Sequence, residues 1–354
     1  LSSPPRRSSD LGWVGEDAYV DAPQATPSEL ARFHDPVYIA AVQQAEAEQR
    51  VDPETSLRHH IGRSGNPVYR EVFSRPATSC GATLKAAELL LEGPGAPAVI
   101  YSPAGGTHHG RRDRAAGFCY FNDPVLGILR FLDRGVARVL YVDLDAHHGD
   151  GVEDAFVDEP RVLTISIHER NRWPHTGRVE DQRENARNLP VPPGFNDSEL
   201  DHLLDRVVQP LGEEFAPEAL VIQGGADGLA DDPMSKLALS NGALWRAVAR
   251  LQRLAPRVLV LGGGGYNPWS VARCWAGMWA TLAGIEIPLR LTEPAEQLLR
   301  SVEWRHSLAR QAPERWFTTL ADAANEGPVR PELRAIADAA LVGVPLSPRA
   351  CAAS

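Results

Sequence analysis

The sequence predicts an α/β fold in which a mostly parallel central sheet is flanked by helices, with a binding site at the carboxyl ends of the strands. Three observations lead to this prediction: five short apolar runs rich in β-branched residues, helical patterns between most of them, and a polar or glycine-rich motif directly after each run. Nearly continuous apolar runs are typical of strands that are buried on both faces. Strands that alternate with helices form parallel sheets, which bind ligands at the carboxyl ends of their strands.

The five predicted strands lie within residues 96–103, 137–145, 161–169, 218–227 and 257–266. The motifs that follow them are, in order, GGTHH, DAHHGD, SIHE, GGAD and GGGGYN. We expect these motifs to meet at one edge of one sheet. The proline-rich residues 189–194 (LPVPPG) are predicted to form a loop.

Helix starts are predicted from capping signals. Residues 26–29 (TPSE) are typical of a capping box with proline at the first helical position. Asp123-Pro124 begins a helix that Gly135 ends, and Asn267-Pro268 begins another. Further helical patterns cover residues 82–92 and 241–254.

The chain has 354 residues, which by length alone suggests about two domains. Because the motifs must meet at one sheet edge, we predict instead a single domain over residues 1–354. Its recognisable motifs span about residues 26–290. We expect residues 1–25 to be divergent or truncated, and about residues 325–354 to be peripheral.

Composition excludes several classes of function. The chain has 36 Lys and Arg against 46 Asp and Glu, a net charge of −10, which argues against neutralisation of nucleic-acid phosphates. It has no apolar run of roughly 18 residues that would span a membrane and no signal peptide. Its four cysteines are scattered without a CxxC motif, which favours a reducing compartment, and we expect a cytoplasmic protein.

Histidines cluster in one part of the chain: six of the 11 lie between His108 and His175. Two of them belong to residues 143–150 (DLDAHHGD), which directly follow a predicted buried strand. Asp143, Asp145 and His147 share one face if the strand persists that far. A single DxH would fit a polar strand end equally well. Buried charges in this density are costly unless they are paired or bind a metal, and zinc binds carboxylate and imidazole.

The ends of the other predicted strands supply the remaining candidates. Asp227 is the candidate third metal ligand, although alone it would also fit a turn. His108 and His109 are candidate proton-transfer groups, since imidazole titrates near neutral pH, although such a pair also occurs in structural roles. Asp143 and Asp150 could orient them. Tyr266 follows four glycines and could donate a hydrogen bond to an oxyanion.

Taken together, the motifs resemble those of the histone deacetylases, in particular class I enzymes and bacterial acetoin-utilisation deacetylases. The motifs, in family order, are GGTHHG, AAGFCYFND, YVDLDAHHGDGVEDAF, LTISIHE, QGGADG and LGGGGYNPWSVARCW. The resemblance covers roughly residues 26–290 and implies the arginase/deacetylase fold with a zinc site at the carboxyl edge of its sheet.

The resemblance also implies roles for individual residues. The implied zinc ligands are Asp145, His147 and Asp227. His109 is the implied general base and acid, with His108 as partner, Asp143 and Asp150 as the carboxylates behind them, and Tyr266 as the group that polarises the acetyl carbonyl. Residues implied for the substrate tunnel are Gly117, Phe118, Trp173 and Gly264. Residues implied for structural potassium are Asp143, Asp145, His147, Ser166, Ile167, Phe156 and Val162.

The function implied by the resemblance is zinc-dependent hydrolysis of N-acetyl-lysine in proteins or peptides to lysine and acetate. Residues 104–107 (AGGT) stand where acetylpolyamine deacetylases usually have Arg-Pro-Pro-Gly, which favours a lysine substrate. Three alternatives remain: an acetylpolyamine or other small-amide hydrolase, a ureohydrolase that would need a second Asp-rich motif, and a non-catalytic acyl-lysine-binding protein. The sequence makes no prediction of oligomeric state.

Overall fold

The computed structural model describes residues 12–15, 18–63, 65–96 and 98–343. Within these ranges the chain forms one six-stranded sheet in the order β1-β6-β5-β2-β3-β4, with every pair of neighbours parallel. Its strands are β1 (Val99–Ser102), β2 (Val139–Asp143), β3 (Val162–Glu169), β4 (Ala186–Val191), β5 (Ala219–Gln223) and β6 (Val258–Leu261). The predicted parallel sheet with flanking helices is confirmed.

Helices occupy most of the connections between these strands. Before β1 lie α1 (Pro27–Leu30), α2 (Pro36–Glu48), α3 (Pro53–His59) and α4 (Ser74–Leu89). Between the strands lie α5 (Asp123–Asp133), α6 (Asp150–Ala155), α7 (Asp197–Leu203), α8 (Gln209–Phe215) and α9 (Asn241–Leu251). After β6 follow α10 (Pro268–Leu282), α11 (Glu293–Arg300), α12 (Arg315–Thr318) and α13 (Pro331–Ala340).

The capping signals mark the helix starts correctly. Thr26 forms a capping box with Glu29, and the side chains of Asn122 and Asn267 accept hydrogen bonds from backbone N–H groups at the starts of α5 and α10. Gly135 has φ of 89° just after α5, which is the left-handed conformation expected of a glycine that ends a helix.

Strand β4 corrects the prediction of a loop at residues 189–194. Residues 186–191 are strand, and Pro190 is in register with His168 of β3. Proline has no N–H to donate to a neighbouring strand, so it is tolerated where a strand lies at the edge of a sheet and one side has no neighbour. Because β4 is an edge strand, the proline did not exclude it from the sheet.

Each face of the sheet is covered by its own apolar core. On one face, Leu140, Val142, Ile165 and Ile222 pack with side chains of α7, α8, α9, α10 and α13. On the other face, Val139, Tyr141, Val221 and Leu259 pack with α4, α5 and α6. The carboxyl ends of all six strands are therefore held at one edge between two layers of helices. None of the helices in the described part of the chain is both long and apolar enough to span a bilayer.

The two ends of the chain differ from expectation or fall partly outside the described residues. The expected peripheral C-terminal segment contains α13, whose Leu333, Ile336, Ala337 and Ala340 are buried in the core. Their spacing of three, four and seven residues places them on one helix face. Residues 344–354, and residues 1–11, 16 and 17 of the expected divergent N-terminal segment, lie outside the described residues.

We predict that Leu333→Ala lowers the free energy of unfolding by about 2–5 kcal/mol, because it removes a fully buried side chain and leaves a cavity. Denaturant unfolding measures this change. Arg334→Ala, at an exposed position of the same helix, is the matched control and should change stability by about 0.5 kcal/mol or less. Equal effects of the two substitutions would contradict the packing of α13 against the core.

Candidate metal centre and active site

The segment that follows β2 supplies two residues of the site. Strand β2 ends at Asp143, so the condition that the strand persists to His147 is not met, and Asp145 and His147 lie in the loop beyond it. Hydrogen bonds from backbone N–H groups to aspartate side chains order this loop. The Asp145 N–H donates to Asp143 Oδ1 at 3.0 Å, and the His147 N–H donates to Asp145 Oδ1 at 3.0 Å. These local turns keep Asp145 and His147 on the same side without a strand.

Asp145, His147 and Asp227 come together at the edge of the sheet and could hold a metal ion. One potential ligand atom from each residue lies within 4.8 Å of the other two, and all three side chains are buried. His147 Nδ1 lies 2.9 Å from Asp227 Oδ2 and 3.3 Å from Asp145 Oδ1. They meet because β2 and β5 are neighbours in the sheet, and Asp227 follows β5.

Backbone groups fix the two carboxylates. Asp145 Oδ2 accepts the N–H of Gly264 at 2.7 Å, and Asp227 Oδ1 accepts the N–H of Ala146 at 2.8 Å. A Cβ atom at position 264 would overlap the Asp227 carboxylate, so only glycine allows the chain after β6 to come this close.

The charges at this centre favour a bound cation. Burial and the neighbouring charge of Asp145 raise the pKa of Asp227 to about 7, although His147 opposes the shift. Burial lowers the pKa of His147, but its hydrogen bonds to Asp145 and Asp227 outweigh this effect and raise that pKa to about 10. A divalent cation would offset the repulsion between the carboxylates, and two carboxylates with one imidazole are a donor set that zinc uses. The residues therefore fit a zinc ion.

His108 and His109 lie beside this centre as a hydrogen-bonded pair. Their Nδ1 atoms lie 2.8 Å from Asp143 Oδ2 and 2.7 Å from Asp150 Oδ1, and their Nε2 atoms lie 2.9 Å apart. A carboxylate only accepts, so each Nδ1 carries a proton. One Nε2 must also carry a proton for the two to hydrogen-bond, and in this arrangement the pair holds one positive charge.

The two imidazoles differ in basicity. Burial lowers the pKa of His108, but the charges of Asp143 and Asp145 outweigh it and raise that pKa to about 9. For His109, burial and the neighbouring charge of His108 lower the pKa to about 4, against the effect of Asp150. The shared charge therefore resides on His108, and His109 is the neutral member, whose unprotonated Nε2 accepts the hydrogen bond from His108.

Three supporting residues of this pair were not identified from the sequence as site residues. The Tyr141 hydroxyl donates to Asp143 Oδ2 at 2.7 Å, and Arg111 forms an ion pair with Asp150. The Asp123 carboxylate accepts the backbone N–H groups of Gly106 and Thr107, directly before His108. Only Tyr141 had a usable signal, since it lies two residues before Asp143 on one strand and therefore faces the same side.

Tyr266 lies after β6, with its phenol near the charges of Asp227 and Asp145. Burial and those two charges raise its pKa well above the usual value, so the phenol stays protonated and can donate a hydrogen bond. Its backbone N–H donates to Asp232 Oδ2 at 2.6 Å. The buried Asp232 carboxylate also accepts the N–H of Met234 at 2.8 Å and so fixes both segments.

Aromatic side chains lie next to the catalytic candidates of the site. The Trp173 ring lies 4.6 Å from the His109 ring and 6.3 Å from the His147 ring between centroids, and Phe118 lies 6.0 Å from Tyr266. Gly117 has φ of 50°, and a Cβ atom there would overlap Trp173. His147 and Trp173 line a cavity of about 640 Å³. The four tunnel residues expected from the sequence, Gly117, Phe118, Trp173 and Gly264, are thus placed around the triad.

The residues expected at potassium sites lie on the β2–β3 side of the centre. Asp143 and Ser166 are in register on neighbouring strands, and Ile167 is buried next to Ser166. The Phe156 carbonyl accepts a hydrogen bond from the Asn185 side chain at 2.7 Å, and Val162 begins β3.

Comparison with known proteins relates this arrangement to one family. The family model described as "Histone deacetylase domain" matches residues 7–282. Histone deacetylase 8 of Xenopus laevis is 37% identical over 267 residues, which cover 73% of this chain and 81% of that protein. Histone deacetylase 9 of Arabidopsis thaliana is 37% identical over 278 residues, which cover 76% of this chain and 64% of that protein.

Solved structures give the same result for the fold. The crystal structure of an HDAC homolog from Aquifex aeolicus superimposes with a TM-score of 0.90 at 34% identity, covering 95% of this chain and 92% of that one. A crystal structure of an HDAC homolog complexed with SAHA gives the same values. The chain has the arginase/deacetylase fold, and it belongs to the histone deacetylase family.

Proposed function

We propose that the protein is a zinc-dependent deacetylase that hydrolyses the acetyl amide of N-acetyl-lysine in proteins or peptides to lysine and acetate. The observation that carries the proposal is the buried triad of Asp145, His147 and Asp227, which lies beside the His108–His109 pair and whose His147 lines a cavity. Bound by the triad, zinc would supply a Lewis acid for the amide carbonyl and lower the pKa of water.

His109 is the proposed general base. Its lowered pKa keeps the imidazole neutral near pH 7, and its Nδ1–H is held by Asp150. Nε2 is therefore the atom that would accept the proton of the attacking water, once it exchanges its hydrogen bond with His108 Nε2 for one with that water. His108 is protonated and is stabilised in this form by Asp143. It provides the proton that the histidine pair then gives to the leaving lysine amine. The proton taken from water thus replaces the one that is given to the amine.

Tyr266 is the proposed oxyanion donor. Its phenol remains protonated at neutral pH, and a hydrogen bond from it to the acetyl oxygen would strengthen as that oxygen gains charge. The bond between its N–H and Asp232 supports a fixed position for the Tyr266 backbone.

The aromatic walls are proposed to hold the aliphatic stem of the substrate lysine. Trp173 and Phe118 are 42% and 54% exposed, so both rings present apolar surface to an incoming molecule beside the site. The absence of a side chain at Gly117 lets Trp173 approach His109. A narrow apolar passage would accept the neutral acyl-lysine stem and exclude bulk water from the reacting atoms.

The proposal extends to structural potassium, to the domain organisation and to the cellular location of the protein. Structural potassium would bind near Asp143, Asp145, the His147 carbonyl, Ser166 and Ile167, with Phe156 and Val162 at a second position. The six strands of one sheet support a single domain. Three described cysteines, Cys80, Cys119 and Cys274, are free and buried, which supports a reducing, cytoplasmic environment.

The substrate class is tested by comparing kcat/KM for an acetyl-lysine peptide and for N-acetylputrescine, each with and without a hydroxamate chelator. We expect faster turnover of the peptide and loss of activity with the chelator. Faster turnover of N-acetylputrescine would favour the small-amide alternative, chelator-resistant turnover would contradict the role of the metal, and binding of the peptide without turnover would favour an acyl-lysine-binding protein.

We predict that Tyr266→Phe lowers kcat for the peptide by about 10²–10³-fold, the typical cost of removing one oxyanion donor. Bound zinc and the unfolding midpoint should stay unchanged, because only a hydroxyl is removed. Tyr19→Phe is the matched control, since the Tyr19 hydroxyl, at the surface, bonds only Asp21 among the described residues. Near-normal kcat in Tyr266→Phe would exclude the proposed role.

We predict that Asp227→Asn loses bound zinc, because the amide replaces one anionic ligand of the triad. Metal analysis of the purified protein measures the effect. Asp231→Asn is the control in the same loop, since the Asp231 carboxylate faces Arg315 and Trp316 instead of the triad. Full zinc content in Asp227→Asn would exclude Asp227 as a ligand.

A further inference from the structure

The cavity that begins at His147 and Trp173 has an uneven charge on its lining. Apart from the histidines His147 and His175, its charged lining residues are three cations, Arg170, Arg172 and Lys236, and one carboxylate, Glu169. The lining thus carries an excess of two positive charges in a protein whose net charge is −10. Such a local reversal of sign attracts anionic groups to this part of the surface.

The one carboxylate of the lining is already engaged. Glu169 is 4% exposed, forms a two-point ion pair with Arg172, and accepts the backbone N–H of Lys236 at 2.8 Å. Arg170 is partly balanced by Glu332, at 3.2 Å on the outside. The described cavity lining therefore has no unpaired carboxylate that could bind an approaching cation.

Lys236 is the lining cation whose backbone is held by hydrogen bonds while its ammonium group is unpaired in the described part of the chain. Its N–H donates to Glu169, and its carbonyl accepts the N–H of Gly194 at 2.7 Å. Among the described residues, its ammonium group has no hydrogen-bond or ion-pair partner in the structure. The backbone is thus fixed while the exposed side chain can reach a bound molecule.

The loop that carries Lys236 is tied to the candidate metal centre. Ser235 donates its hydroxyl to the Asp227 carbonyl at 2.5 Å, and the Leu237 N–H donates to the Ser235 hydroxyl at 3.3 Å. The backbone around Lys236 is consequently held next to Asp227 by hydrogen bonds of its two neighbours in the chain. Only two of the 36 Lys and Arg residues are lysine, and the other, Lys85, lies on α4, away from the cavity.

We propose that this cationic wall selects acyl-lysine segments that carry Asp or Glu next to the acyl-lysine, with Lys236 as the determinant of that preference. The inference rests on the proposed deacetylase function and specifies its substrate. The acyl-lysine itself is neutral and enters between Trp173 and Phe118, so the flanking side chains remain at the cavity wall. The same wall disfavours substrates with a free ammonium group, such as acetylated polyamines and acetyl-lysine flanked by Lys or Arg.

The test compares three acetyl-lysine peptides that differ only in the two residues on each side: acidic, neutral or basic. We expect kcat/KM of the wild-type protein to fall in that order, with an acidic-to-basic ratio of about tenfold at low salt. A single exposed ion pair contributes little, so a change of this size needs several of them together. The ratio should shrink as salt is raised, because exposed charges are screened.

Matched substitutions of the two lysines locate the effect. Lys236→Gln should lower the acidic-to-basic ratio by about threefold, and Lys236→Glu should lower it further, whereas Lys85→Gln should leave it unchanged. Because the Lys236 side chain is exposed, the variants should keep the wild-type unfolding midpoint.

The outcomes separate this inference from the function on which it rests. Equal kcat/KM for the three peptides, a preference for the basic peptide, or an unaltered ratio in Lys236→Gln would overturn the inference while deacetylation of the neutral peptide stands. No turnover of the neutral peptide by the wild-type protein would overturn the proposed function, and this inference with it.

Discussion

The burial of the Asp145 and Asp227 carboxylates against one imidazole is the constraint to which the rest of the site is adapted. Two like charges out of water are costly unless a cation or several hydrogen bonds compensate them. The chain supplies His147 and the backbone N–H groups of Ala146 and Gly264. These groups compensate in part, since the pKa of Asp227 is still raised to about 7, and a divalent ion would provide the remainder.

The strand order explains how distant parts of the sequence meet around that centre. The neighbours β2 and β5 deliver Asp145, His147 and Asp227, and β6, on the other side of β5, delivers Gly264 and Tyr266. The outermost of these strands, β1, is followed by the turn with His108 and His109. Each group of residues needs only a short loop beyond its strand. Proton transfer, metal binding and oxyanion donation can therefore be placed within one buried volume on rigid supports.

Sequence patterns predicted the fold class and the convergence of the candidate ligands, because both predictions depend on local signals. Buried strands appear as apolar runs, and polar motifs at their ends must converge in a parallel sheet. The pattern was weakest where tertiary position decides the outcome. Pro190 is compatible with a strand only because β4 lies at the edge, and the alanine-rich α13 is buried only because the core reaches it.

Supporting contacts were also beyond sequence reasoning. The bond between Tyr266 and Asp232 joins residues 34 positions apart, and Arg111 pairs with an aspartate 39 positions away. Nothing in the local pattern of an acidic loop or of an arginine after two histidines distinguishes such partners from solvated surface charges. The charge of the cavity wall is likewise assembled from two separate loops, after β3 and after β5.

The most direct measurement is an anomalous difference map, recorded at the zinc absorption edge, from a crystal of the protein grown with zinc. A single strong peak should lie between the Asp145 and Asp227 carboxylates and His147 Nδ1, about 2.0–2.2 Å from each ligand atom. The absence of a peak between these three residues, or a peak held by other side chains, would contradict the assignment of this centre as the metal site.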